Sequence, residues 1–94
     1  MLAQLRAAMR GDQLRPYMRL WLEICAQAAG GEELYRQIGS AIADGFIAWA
    51  KQRLLVDQGS NACAQAALLV ATIDGLALLD TVSRGEIADP AIFR

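Results

Sequence analysis

Glycine and proline cut this chain into four stretches, and apolar residues recur in them at helical rather than strand spacing. Residues 2–10 mix Ala and Leu with Arg and stop at Gly11, where Asp12 begins a connection. Arg15-Pro16 opens the second stretch, because a helix's first turn tolerates proline's missing N–H. PYMRLWLEICAQAA then places Met18, Trp21, Leu22, Cys25 and Ala29 at i, i+3, i+4, i+7 spacing until Gly30-Gly31 ends the run. Glu32 and Glu33 suit the positive end of a third helix. That helix carries Leu34, Ile38, Ala41, Ile42, Gly45 and Trp49 on one face, with Tyr35 and Phe46 beside it. It is expected to reach about Val56, where Asp57-Gln58-Gly59 breaks it and Ser60 or Asn61 caps the next.

The fourth stretch contains ATIDGLALLD, and Asp-Gly between hydrophobic blocks is a signal for a tight hairpin. The flanks, ACAQAALLVATI and LALLDTV, are rich in Ala and Leu and do not alternate, which favours helix. Arg84-Gly85 then supplies a cationic last turn and a terminator. A single helix over residues 62–82 is the expectation.

Across residues 62–79 the polar positions are Gln65, Thr72 and Asp74, so this helix is apolar nearly all round. Such a helix either crosses a membrane or is covered by protein on several sides. The stretch is barely long enough to span, and a central aspartate costs roughly 2.5–3.5 kcal/mol on insertion. Burial by protein is preferred, with no membrane. Helices of the same short chain cover one side and a second copy covers the other, giving a homodimer with an intermolecular helix bundle. Gly75, and Gly39 and Gly45 on the third helix, then let a partner helix approach closely. The expected dimer interface is Ile38, Ile42, Gly45, Leu69, Ile73, Gly75 and Leu76. Asp74 needs a companion at the edge of such a surface: a hydroxyl, a backbone group, or Arg36 or Arg53.

Composition sharpens this picture. The chain has 94 residues, enough for one domain over 1–94 near the small end of what folds alone. It is 55% hydrophobic and 20% charged with a net charge of -1, which excludes a disordered chain. With no histidine and only Cys25 and Cys63, far apart, zinc sites and Cys-His or Ser-His-Asp catalysis are excluded. Two buried free thiols of a cytoplasmic protein are expected, and the N-terminus lacks the apolar core of a secretory signal.

Candidate chemistry is sparse. Arg6, Arg10, Arg15 and Arg19 bias the first two helices basic, but a slightly acidic chain without a reading element does not fit DNA binding. A solvated or domain-facing surface is expected of them. Glu32 and Glu33 read as helix-start acids, while Asp44 and Asp74 stand alone, so no catalytic residues, no metal and no cofactor are assigned. Tyr17, Met18, Trp21, Cys25, Phe46 and Trp49 form an apolar, aromatic set that suits a small apolar effector and suits ordinary core packing equally well.

The segments RLWLEICAQA, FIAWAKQRL and AALLVATIDGLAL together resemble the C-terminal domain of TetR-family transcriptional regulators. The final helix of that family often reads A-x-x-L-x-A-x-I-D-G-L, and Ala66, Leu69, Ala71, Ile73, Asp74, Gly75 and Leu76 match it. The resemblance covers about residues 15–89. It implies an all-α helical bundle of about four helices that binds an effector and dimerises, its last two helices pairing with their copies in a four-helix bundle. It also implies that DNA is bound through an N-terminal helix-turn-helix, which these residues do not include. Two functions are therefore expected. One is the effector-sensing and dimerisation domain of a TetR-like repressor; the other is a free-standing dimeric helical interaction module, with neither DNA-binding nor catalytic activity.

Overall fold

The computed structural model describes residues 2–53 and 61–92, and every element among them is helical. α1 is Leu2–Met9, α2 Arg15–Ala29, α3 Glu33–Arg53 and α4 Ala62–Thr81. A 3₁₀ turn, Gly85–Ala88, and a short α5, Asp89–Ile92, follow. Asp74-Gly75 therefore lies inside one continuous helix, as the Ala/Leu-rich flanks require. The expected end of the third helix near Val56 and the capping Ser60 lie outside the described residues. Asn61 takes the cap position of α4 without closing a side-chain hydrogen bond.

Among the described residues, two helix ends close with the same hydrogen-bond pattern. After α2, Glu32 N–H bonds to Gln27 O and Gly31 N–H to Ala28 O, a Schellman closure. Gly31 sits at φ 98°, a left-handed value that glycine adopts without steric cost. The reversal lays α3 antiparallel on α2. Ile24 packs over Gly39, where an added Cβ would lie 3.5 Å from its methyl. The Trp21 and Phe46 rings meet edge to face at 5.8 Å.

α4 ends by the same device, but not where Arg84-Gly85 suggests. Arg84 N–H bonds to Leu79 O and Ser83 N–H to Asp80 O, with Ser83 itself at φ 61°. Gly85 serves another purpose. It is buried, and a Cβ there would overlap Asp80 Oδ1 and lie 2.7 Å from Arg6 Nη2.

That close approach belongs to an ionic cluster joining the two ends of the chain. The Arg6 guanidinium donates through Nη1 and Nη2 to both carboxylate oxygens of Asp80, the Nη2 bond being 2.8 Å. Its Nε donates to Asp89 Oδ1 at 3.2 Å, and Arg10 Nη2 donates to Asp89 Oδ2 at 2.8 Å. Arg6 is 0% exposed, which corrects the expectation that this arginine belongs to a solvated face. Beneath the cluster, Met9, Leu76 and Ala77 form a small core, flanked by Met18, Ile73, Ala88 and Ile92. The first helix is thereby held against the last quarter of the chain.

Candidate functional site

A groove of about 640 Å³ opens where α1, α2, α3 and α4 converge. Helical spacing builds its walls. On α2, Tyr17, Met18 and Trp21 share a face; on α3, Phe46, Trp49 and Ala50 do so. On α4, Leu69 and Val70 lie one turn before Ile73 and Asp74. Leu5 and Met9 of α1 close one side, with Leu14 from the connection. Trp21 is buried in the floor, while Tyr17, Phe46 and Trp49 stay partly exposed along the rim. These three rings therefore present aromatic surface to water beside the groove.

Of the residues singled out for ligand contact, Tyr17, Met18, Trp21, Phe46 and Trp49 line this groove. Cys25 does not: it is exposed, as is Cys63, which corrects the expectation of buried thiols. Partial burial, with the nearby charge of Asp74, pushes the Cys25 thiol up, away from the reactive thiolate.

Among the described residues Asp74 is the one acid in the wall. Burial pushes its carboxyl above the ordinary aspartate range, and a hydrogen bond offered by the Trp21 indole N–H pulls the other way. The arginines considered as its companions are engaged elsewhere. Arg36 pairs with Glu33 one turn away on the exposed face of α3, and Arg53 lies 5.3 Å over the Trp49 ring.

A neighbouring depression of about 630 Å³ is lined by Arg10, Arg15 and Arg19 together with Asp80 and Glu86. Its charges are mixed, and Arg15 is tied back to the Arg10 carbonyl. Among the described residues no group of Cys, Asp or Glu side chains is gathered to hold a metal ion.

The other candidate surface is the outer side of α3 and α4. On α3, Leu34, Ile38, Ala41, Gly45 and Ala48 are exposed and recur alternately four and three residues apart. On α4, Ala64, Leu68, Ala71, Gly75 and Leu78 do the same, and Val82, just past the helix end, continues the line. Leu68 is 68% exposed and Val82 64%. A Cβ at Gly45 or at Gly75 would meet nothing within 4 Å.

Of the expected interface, Ile38, Gly45 and Gly75 lie on this outer side. Ile42, Leu69 and Ile73 are partly buried within the subunit, Leu69 and Ile73 as groove wall. Leu76 is 6% exposed and sits in the subunit's own core. The outward line of α4 is displaced from the expected one to Leu68, Gly75, Leu78 and Val82. A helix apolar all round has no polar face to mark its outside, so its rotation had to come from packing.

Sequence reasoning also missed Leu5, Met9 and the Arg6–Asp80–Asp89 cluster. The available signal was Arg6 and Arg10, four residues apart near the start of the chain, and Asp80 and Asp89 near its end. Compared with known proteins, the chain matches no protein-family model, no curated protein and no solved structure.

Proposed function

We propose that this chain is the effector-sensing and dimerisation module of a TetR-like transcriptional repressor. The observation that supports this reading is the division of α3 and α4 into two working faces. Their inner faces wall the aromatic groove, while their outer faces carry bare apolar lines at heptad spacing. Apolar positions alternating by four and three suit a helix pair laid against another helix pair. Two copies joined this way make a four-helix layer with a groove behind it on each side. A small molecule in the groove presses on the helices that hold the dimer together, and on α1 through Leu5 and Met9. The DNA-reading heads belong to a helix-turn-helix unit outside these residues.

α4 is long and apolar enough to cross a membrane by length and composition. Its inner face argues for a protein partner instead. Asp74 lies there beside Trp21, and Asp80 holds the Arg6 guanidinium, neither of which suits a lipid-facing helix.

Sedimentation tests the dimer. The wild-type chain is expected to run as a dimer at micromolar concentration, and Leu68→Glu or Leu78→Glu as a folded monomer. A well-folded wild-type monomer at that concentration removes this reading. The genomic sequence upstream of Met1 tests the regulator: an in-frame helix-turn-helix supports it. A start at Met1 leaves a self-contained dimeric module that acts through protein association.

A further inference from the structure

We infer that the groove takes a lipophilic organic cation, its apolar body against Tyr17, Trp21, Phe46 and Trp49 and its positive centre facing Asp74. This rests on reading the groove as an effector site, and it names the chemical class the site selects.

Charge decides the class. Among the described residues Asp74 is the only acid in the lining, and it stands on a wall otherwise built from aliphatic and aromatic side chains. A carboxylate that has lost part of its water attracts a cation more strongly than a solvated one does, and it repels anions to the same degree. Among the described residues the Trp21 indole is the one donor that acts on it, which leaves most of the acceptor capacity of two oxygens open. Among the described residues no Lys or Arg lines the groove to hold an anionic ligand: Arg10, Arg15 and Arg19 line the neighbouring depression, and Arg53 at the edge is turned onto the Trp49 ring.

The rings add a second, independent preference. Aromatic faces attract cations through their quadrupole, most strongly where water is excluded. The Arg53 guanidinium already sits 5.3 Å over Trp49 at the groove's edge, a cation held on a lining ring by the protein itself. The volume, about 640 Å³, matches sites that hold drug-sized molecules rather than single ions. A ligand with both properties, greasy rings and one fixed positive charge, satisfies the wall and Asp74 together.

Both tryptophans of the chain, Trp21 and Trp49, line the groove, so intrinsic fluorescence reports occupancy directly. The test titrates the whole chain with tetraphenylphosphonium, with tetraphenylborate of the same shape and opposite charge, and with neutral triphenylmethanol. The phosphonium is expected to bind about tenfold or more tightly than the borate, a difference of about 1.4 kcal/mol. Asp74→Asn should erase that preference and Asp74→Glu should retain it. The wild-type comparison stands even where a variant folds poorly. Borate or triphenylmethanol binding as well as the phosphonium overturns the cation class and leaves the effector site in place. An unchanged preference in folded Asp74→Asn also overturns the assignment to Asp74. No fluorescence response to any of the three overturns both this inference and the effector-site reading.

Discussion

At Asp74 burial and a hydrogen bond act on one carboxyl in opposite directions, and burial is the larger. The unfolded chain ionises this group at about pH 3.9. In the folded chain its pKa is raised, so protonation favours the fold: that stability is fully present below the unfolded pKa and is lost as pH rises through the folded one. Asn keeps an oxygen for the Trp21 N–H and carries no charge. Asp74→Asn is therefore expected to be more stable than wild type at pH 7, by a few tenths to about 1 kcal/mol once solvent screening of this half-buried group is allowed for. The two should converge in acid. Urea unfolding midpoints at pH 7 and near pH 3.5 measure this. A variant less stable than wild type at pH 7 would mean that the carboxylate engages a donor that Asn cannot satisfy.

Among the elements, α1 owes its position to a guanidinium rather than to a large apolar face. Its buried residues are Arg6 and Met9. Gly85→Ala puts a methyl where the Asp80 carboxylate stands, so Asp80 must rotate and give up Arg6. The expected cost is roughly 1–3 kcal/mol, the range for leaving one partner of a covered polar contact unsatisfied. Chemical denaturation of the variant checks it, and a loss below about 0.5 kcal/mol would show that the cluster contributes little. Asp89, held below the usual carboxylate range first by Arg10 and then by Arg6, adds an acid sensitivity. Its contribution is present above the unfolded carboxylate pKa and is lost as pH falls through the lowered folded value. The helices themselves were legible because their signals are local: Pro16 opens α2, Gly31 reverses the chain, and Ala and Leu outvote Asp74-Gly75 in α4. Most of the aromatic groove was legible too, since Tyr17, Trp21, Phe46 and Trp49 fall at turn spacing on two helices. The Arg6 cluster and the inward turn of Leu76 were not. Both depend on which distant segments meet, and an arginine's spacing on α1 looks the same whether it is solvated or paired.

For the whole molecule, the bare outer faces of α3 and α4 make a prediction with two opposite signs. Within one subunit, Gly75→Ala meets open space and replaces a poor helix former, which favours the helix by roughly 0.5–1 kcal/mol. In a dimer that crosses at Gly75, the same methyl holds two backbones apart and weakens association. The variant is expected to dissociate at about tenfold lower dilution, a change of about 1.4 kcal/mol, while its monomer melts at least as high as wild type. Sedimentation over a concentration series and melting at high dilution separate the two effects. Unchanged association would move the crossing point away from Gly75.

The Arg6 cluster also bears on how fast the chain finds and leaves its fold. Its bonds to Asp80 and Asp89 span 74 and 83 positions of sequence, whereas α2 with α3 and α3 with α4 pack as neighbours along the chain. Closing nearly the whole chain into a loop carries a larger entropy cost than closing either helix pair, so the cluster forms after the barrier. The stability lost in Gly85→Ala should then emerge as faster unfolding with refolding nearly unchanged. In stopped-flow traces the unfolding limb shifts up while the folding limb overlays wild type; slower refolding would instead place the two chain ends in the folding nucleus.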